Sequence, residues 1–558
     1  MKKFLKENIG IWIIIILSGL ILWPLFQKGY FTHHDDLQVI RIFEMRRCFA
    51  DFQIPCRWVP DMGYGNGYPL FNFYGVFPYY VGAVFSYVFS YLNSAKILFF
   101  IPLLLGGISM YFLGSELFGK KAGFVAGVLF LFAPYRALDL YVRGAIAESF
   151  AISLIPLLFY FSLRLIRKGK LVDFVGTSLT LLFFLTSHNI MTLIFVPIFV
   201  CWLLLMLYLE KWKNIKILII SVLTGIGLSA FFLVPAYFEK GLVQSNTLTL
   251  GSMDFRNNFI SFKRLFIDRT WGYIGAVRSM DGDLSFQIGW PHWWMVAASI
   301  LAVSVGLIKS DFKKNIKKYL LPAFLILIFA FSVFMMRKES LFIWEKISLL
   351  SFVQFPWRIL SVSIFTSSLL GGYCIYSLKG KFSNILAIAV VVLAVALNWN
   401  YFRPQMFLKD VTNANKLSGG PWITQQAGAV MDFLPLTASR PWGLAPVAPL
   451  VLKGNSEVSN FVNKSNSFSF SVNVISESVI DVPVFYFPNW RVQVNGASYK
   501  MDLGEIGRIE IALLRGEYLV QGNFENTQVR MIANSISVMS FVFFVFYLVY
   551  GKTKKFIE

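Results

Sequence analysis

Thirteen stretches of this chain are apolar over, or nearly over, the roughly 20 residues a helix needs to cross the hydrocarbon core of a bilayer. They occupy residues 9–26, 73–91, 97–118, 122–138, 145–163, 171–186, 190–209, 215–237, 293–308, 319–336, 359–378, 385–401 and 532–550. So many apolar runs cannot all be buried in one water-soluble core. Only 15% of the 558 residues are charged, where soluble domains carry roughly 25%. The mean hydropathy is +0.62. This excludes a soluble enzyme and a disordered chain. The sequence predicts a polytopic α-helical membrane protein with about 12–14 transmembrane helices.

The formal net charge of +21 comes from 51 Lys and Arg against 30 Asp and Glu. The basic residues gather in short loops between apolar runs, as at Lys120-Lys121, Arg164 to Lys170, Lys211 to Lys216, Lys313 to Lys318 and Lys552 to Lys555. That is positive-inside punctuation, directed at topology and anionic membrane lipids and not at nucleic acid. It places both termini in the cytoplasm, which requires an even number of crossings. Thirteen runs is one too many. The conflict lies between residues 73 and 118, where one segment is re-entrant or Lys120-Lys121 is a poor marker. Residues 9–26 run into the bulky Gln27-Lys28-Gly29-Tyr30 and lack a small-residue cleavage site, so a retained first span is expected. Of the four cysteines, Cys48 and Cys56 share an outer loop and are candidates for a disulfide.

The same bookkeeping puts every long polar stretch (27–72, 139–148, 239–292, 337–356 and 403–530) outside the cytoplasmic membrane. Residues 1–402 form the transmembrane domain, with 27–72 as its first outer loop. Residues 403–530 form an extracytoplasmic domain, β-rich from about residue 465, and 531–558 a final helix and basic tail. The β reading rests on alternation in Phe468 to Val474 and Arg491 to Asn495, with Asn495-Gly496 as a turn. A small β-sandwich is expected.

Candidate chemistry is confined to the outer segments. Asp35 and Asp36 stand just beyond the first span, where a carboxylate can act as general base toward a hydroxyl or hold a divalent cation. Equally, Asp36 can cap a helix running from Leu37 to Phe52. Arg41, Arg46, Arg47 and Arg57 follow, and guanidinium groups suit a phosphate-bearing lipid. Tyr135, Arg136, Asp139, Arg143 and Glu148 lie between two spans. His188 and Asn189 begin a third, Trp271 and Gln287 lie in a long outer loop, and Gln354 to Arg358 enters a later span. Their convergence predicts a pocket opening at the outer leaflet. GxSxG, P-loop, HExxH and GxGxxG motifs are absent from the sequence.

Several of these segments, namely His34-Asp35, Arg57-Trp58, Gly65-Asn66-Gly67-Tyr68-Pro69-Leu70-Phe71-Asn72-Phe73-Tyr74, Pro134-Tyr135-Arg136 with Arg143-Gly144 and Glu148, and Gln354-Phe355-Pro356-Trp357-Arg358, resemble a bacterial membrane family. It is labelled 6-pyruvoyl-tetrahydropterin synthase-related and is similar to the YfhO-like proteins. Tyr486-Phe487-Pro488-Asn489-Trp490-Arg491-Val492 looks like that family's outer β-domain. The histidine cluster of soluble pterin synthases is missing from the sequence. These families are similar to the GT-C integral membrane glycosyltransferases. The resemblance implies a polyprenyl-phosphate-linked sugar donor, a cell-envelope glycan or protein acceptor, and a catalytic acid at Asp35, with Asp36 second. Donor phosphate is then expected at Arg41, Arg57, Arg143 and Arg358. Substrate contacts are expected at His34, Trp58, Tyr68, Tyr135, Arg136, Glu148, His188, Asn189, Trp271 and Gln287. Gln38 and Val39 stand where a histidine often follows the acid, so a metal ion, magnesium or manganese, is left open. A flippase for lipid-linked saccharide and a non-catalytic envelope assembly factor are the alternatives.

Overall fold

The computed structural model describes residues 8–275, 283–309 and 312–557. Among them, eight helices are long and apolar enough to cross a bilayer: Tyr91–Phe118, Ile146–Lys168, Asn189–Leu209, Trp290–Ile308, Ile316–Met335, Pro356–Ser377, Gly380–Tyr401 and Gln528–Val549. Two further segments are bent pairs, Lys120–Leu131 with Pro134–Arg143 at 46°, and Ile215–Leu228 with Ala230–Phe238 at 63°. The first bend falls just before Pro134, which has no N–H to give and pushes the preceding residue out of helical geometry. Its second arm runs into a wide π-type turn over Leu138–Arg143, a feature that recurs at functional sites.

The expected spans at 9–26 and 171–186 are shorter apolar helices, Ile9–Ile21 and Leu171–Leu185. The run at 73–91 differs from the expectation of a span. Its helix covers only Phe77–Phe85, a rise of about 13 Å against a core of roughly 30 Å. Its apolar residues pack sideways: a Cβ on Gly82 would meet Ile42 at 2.8 Å and Leu98 at 2.9 Å. Without it twelve of the thirteen apolar runs remain as helices or bent helix pairs.

Those loops meet at one end of the bundle. Arg167 donates to Glu210 Oε1 at 2.8 Å and to the Glu116 carbonyl at 3.0 Å, and Asn214 Nδ2 donates to the Ile166 carbonyl at 3.0 Å. The first outer loop, the turn at 138–144 and the β-domain lie at the other end, the extracytoplasmic one. Pro356–Ser377 runs through the centre of the bundle, nearly all of it buried.

Strand β1 (Tyr30–Phe31) pairs antiparallel with β2 (Phe407–Leu408). The remaining strands are β3 (Leu450–Asn463), β4 (Ser467–Phe485), β5 (Trp490–Val494), β6 (Ala497–Tyr499), β7 (Asp502–Leu503), β8 (Arg508–Leu513) and β9 (Gly516–Phe524). They form one seven-stranded sheet in the order β6-β5-β9-β4-β8-β7, with β3 along the other edge of β4. β4 pairs with β9 over Ser467 to Val474 and with β8 over Ser478 to Phe485. One long strand therefore joins the two halves, and the expected β-sandwich is built from a single curled sheet. The sheet begins at Leu450, ahead of residue 465. Alternate residues Phe468, Phe470, Val472 and Val474 face a core that also holds Trp490, Val492, Ile509 and Val520. Trp58 and Phe73 of the transmembrane part complete that core.

Candidate functional site

The first outer loop leaves β1 and is clipped to the turn that ends the first bent pair. His34 N donates to the Val142 carbonyl and Asp35 N to the Arg143 carbonyl, each at 2.9 Å. Gln38 Nε2 donates to the Gly144 carbonyl at 2.9 Å and to Asp35 Oδ2 at 3.3 Å. Gly144 sits at φ +68°, and a Cβ there would meet His33 Cδ2 at 2.1 Å. Only glycine allows this approach.

Gln38–Ala50 is a surface helix whose first turn carries Arg41. The buried Arg41 Nη1 donates to Asp35 Oδ2 at 2.8 Å and to the hydroxyls of Tyr74 and Tyr79, each at 3.2 Å. Its guanidinium lies 4.4 Å from the centre of the Tyr74 ring. The Tyr79 hydroxyl donates to Gln38 Oε1 at 2.9 Å. Asp35 stays 31% exposed, and its Oδ1 accepts no hydrogen bond from the described residues. The arrangement is an ion pair with one carboxylate oxygen open at the outer face.

A second cluster lies behind the clip. Arg143 pairs with Asp139 and, at 2.9 Å, with Glu148 Oε2. Its guanidinium stands 4.7 Å from the Trp357 ring centre. The Tyr135 hydroxyl donates to Glu148 Oε1, and Arg358 Nε lies 3.4 Å from Glu148 Oε2. Arg358 Nη1 also donates to Gln354 Oε1 at 2.7 Å. Buried charges at this depth are tolerable because each is paired.

The remaining predicted residues are engaged individually, with Tyr68 near the Asp35–Arg41 pair, His188 near the Glu148 cluster and the others elsewhere. Asp36 pairs with Lys416, not with the Arg41 centre. His34 Nε2 donates to the Tyr273 carbonyl at 2.7 Å. Arg136 locks two spans together through the Pro102 carbonyl at 2.8 Å and Ser153 Oγ at 2.7 Å. His188 Nδ1 accepts from Met191 N and caps a helix, while Asn189 holds the Phe73 carbonyl at 2.8 Å. Trp271 stacks on Tyr401 at 4.5 Å, and Gln287 Oε1 accepts from the Tyr401 hydroxyl at 3.5 Å. Tyr68 is buried with its hydroxyl unpartnered.

Arg57 and Trp58 belong elsewhere. Arg57 donates to Asn72 Oδ1 at 2.9 Å, the Phe231 carbonyl at 3.1 Å and Asn534 Oδ1 at 2.9 Å. Burial, and then the nearby Arg530 charge, lower its pKa to about 10. Trp58 is 1% exposed and packs on Phe487, Trp490 and Phe524 of the β-domain.

The site also holds Asp432, which no motif in the sequence marks. Burial, moderated by the Arg41 charge and reinforced by Asp35, raises its carboxyl to about 6. In the sequence Gln38 stands where a histidine often follows the acid, Tyr74 closes the glycine-tyrosine-proline loop, and Tyr79 lies within an apolar run. Among the described residues, no three His, Cys, Asp or Glu side chains gather as a metal site.

Residues 71–267, which include the Arg143 cluster, match the model of the 6-pyruvoyl-tetrahydropterin synthase related domain, a membrane protein. An uncharacterized protein of Lactococcus lactis subsp. cremoris (strain MG1363) is 27% identical over 273 residues, which cover 46% of this chain and 44% of that relative. The match thus spans less than half of either protein. Among solved structures, the mycobacterial arabinofuranosyltransferase AftD is similar at a TM-score of 0.48 and 11% identity, over 79% of this chain and 32% of that one. The oligosaccharyltransferase AglB of Archaeoglobus fulgidus is similar at 0.43 and 13% identity, over 71% and 56%. At such identities a residue's role does not carry from one chain to another. The matched region ends at residue 267, so Arg358 and Asp432 lie beyond it.

Proposed function

We propose that this protein is a membrane glycosyltransferase of GT-C type. It moves a sugar from a polyprenyl-phosphate-linked donor to a glycan or protein acceptor of the cell envelope, on the outer face of the cytoplasmic membrane. The observation that carries the reading is the Asp35–Arg41 pair, with Asp35 Oδ1 open and a cation 2.8 Å from the other oxygen. In this reading the acceptor hydroxyl gives its proton to Asp35 Oδ1 as its oxygen bonds the anomeric carbon. The bond from that carbon to the phosphate oxygen breaks, and its electron pair leaves on the lipid phosphate. Attack opposite the leaving group inverts the anomeric centre. Arg41 meets the charge that grows on the departing phosphate, in a site where burial strengthens such an interaction. Arg143 and Arg358 hold the wall behind Asp35, their charge already shared with Asp139 and Glu148. Arg57 and Trp58 are left out of the proposed site because Arg57 is committed to Asn72, the Phe231 carbonyl and Asn534, and Trp58 to the β-domain core.

The test is turnover by the purified protein in lipid nanodiscs, supplied with undecaprenyl-phosphate-linked hexoses and envelope glycan. Consumption of donor with release of undecaprenyl phosphate is expected in one compartment, where a flippase has nothing to show. Asp35→Asn should fold, as judged by an unchanged melting temperature, and lose at least a hundredfold in rate. A folded Asp35→Asn protein that transfers sugar at the wild-type rate removes the base assignment.

A further inference from the structure

Asp432 ends the turn Val430–Asp432, and its surroundings hold it firmly. Val430 and Leu434 on either side are buried in the β-domain core. Thr247 Oγ1 donates to the Met431 carbonyl and Gln244 N to the Leu434 carbonyl, each at 2.8 Å. Phe433 stacks on Phe73 at 5.7 Å and meets the Tyr74 ring at 6.4 Å. That same Tyr74 ring carries the Arg41 guanidinium. From the other side, Gln425 Oε1 accepts from Ile40 N at 3.2 Å on the surface helix. Asp432 is thus fixed across from the Asp35–Arg41 pair by contacts of its neighbours, while its own carboxylate has no hydrogen-bond or ion-pair partner among the described residues. Beside it stands a second unpartnered group. The Tyr68 hydroxyl is fully buried without a hydrogen bond, and after burial the Asp432 carboxylate is the largest influence on its ionisation.

A buried hydroxyl without a hydrogen bond, as at Tyr68, points to a missing partner, and the partly exposed Asp432 carboxylate is open to the same one. An acceptor with a single hydroxyl, such as a serine or threonine side chain, spends that hydroxyl on Asp35 and has nothing to offer Asp432 or Tyr68. A sugar does. We propose that Asp432 and Tyr68 bind a second hydroxyl of a polyhydroxylated acceptor, so that the acceptor is a carbohydrate and Asp432 selects which hydroxyl meets Asp35. Asp432 accepts a hydrogen bond from that hydroxyl, whose oxygen accepts one from Tyr68. A site built this way discriminates strongly against an analogue lacking the hydroxyl. The inference rests on the glycosyl-transfer reading but not on the identity of the base.

The groups facing Asp432 are Arg41 and Asp35 from the surface helix and the loop before it, and the phenols of Tyr68 and Tyr74. With its carboxyl near 6, the ionised fraction falls about tenfold between pH 7 and pH 5. Acceptor affinity is therefore present above pH 6 and lost below it.

The experiment uses the full chain in nanodiscs with undecaprenyl-phosphate-linked hexose. Methyl glycosides of glucose, mannose and N-acetylglucosamine serve as acceptors against serine- and threonine-containing peptides. Transfer to at least one glycoside and to neither peptide is expected. Asp432→Asn should raise the glycoside KM at least tenfold with a smaller change in kcat, and lower the ratio of transfer to donor hydrolysis. Asp432→Glu should recover part of the loss. The wild-type KM should rise about tenfold from pH 7 to pH 5, and that rise should vanish in Asp432→Asn. An unchanged KM in Asp432→Asn, a fall in kcat alone, or efficient transfer to the peptides overturns the inference. If the wild type neither transfers nor hydrolyses donor, the glycosyl-transfer reading fails by itself. Glycoside binding followed by saturation-transfer NMR then decides: lost in Asp432→Asn it supports the subsite, unaffected or absent in the wild type it removes it.

Discussion

The amide of Asp35 donates to the carbonyl of Arg143 at 2.9 Å, and this bond ties the exposed acid of the first outer loop to a buried ionic cluster. Arg143 uses its backbone for Asp35 and its guanidinium for Asp139 and Glu148. Movement of the turn at 142–144 therefore displaces both sets of groups together. The Asp35–Arg41 geometry depends on a residue 108 positions away along the chain.

Gly144→Ala tests that dependence. The residue has φ +68°, and the added Cβ would lie 2.1 Å from the His33 ring. Strained left-handed backbone costs of order 1–3 kcal/mol, and the clash forces the loop off its clip. The expected outcome is a protein that still inserts and folds, with a melting temperature lowered by several degrees and donor turnover reduced at least tenfold. Wild-type turnover in a folded Gly144→Ala protein would show that the clip does not position Asp35.

Glu148→Gln addresses the buried cluster. Glu148 serves Arg143, Arg358 and the Tyr135 hydroxyl at once. Removing its charge leaves Arg143 with Asp139 but deprives Arg358 of its carboxylate. Breaking a buried pair from one side costs about 3–5 kcal/mol. A marked loss of thermal stability is expected, and a second change, Arg358→Met, should recover part of it. Additive losses in the double variant would mean that the two residues do not interact.

The two adjacent acids should differ sharply. Asp36 is 41% exposed and pairs with the largely buried Lys416, away from the Arg41 centre. Asp36→Asn is expected to cost less than threefold in turnover where Asp35→Asn costs a hundredfold or more. Equal losses from the two, measured side by side on folded protein, would erase the distinction drawn from their partners.

Composition revealed the spans because a bilayer selects on composition. The run at 190–209 matches the helix Asn189–Leu209 almost residue for residue. Hydropathy failed at 73–91, where Tyr79 and Gly82 are apolar for the sake of packing under the surface helix. A window average cannot distinguish the two causes. The clip at Gly144 was within reach, since glycine after Arg143 in a polar turn is a recognisable signal. Other contacts were not. Lys416 reaches Asp36 over a separation of 380 residues, and Asp432 lies in a stretch with no periodicity and no motif. Such pairings come from tertiary packing and leave no mark on local sequence.

Trp58→Ala separates a structural role from a substrate role for the aromatic beside Arg57. From sequence, a tryptophan in an outer loop reads as a platform for a sugar ring. In the fold its ring meets Trp490 edge-on at 5.6 Å and lies against Phe487 and Phe524. It is therefore the plug by which the first outer loop enters the core of the β-domain. Truncating a buried aromatic of this size costs about 3–5 kcal/mol. Because the loop and the sheet share that core, the loss falls on their docking. Limited proteolysis should cut Trp58→Ala faster than wild type between the spans and the sheet, around 440–450. The KM for donor should stay within threefold of wild type in protein that remains intact. A large rise in donor KM with no change in protease resistance would restore Trp58 to the sugar site and remove it from the interface.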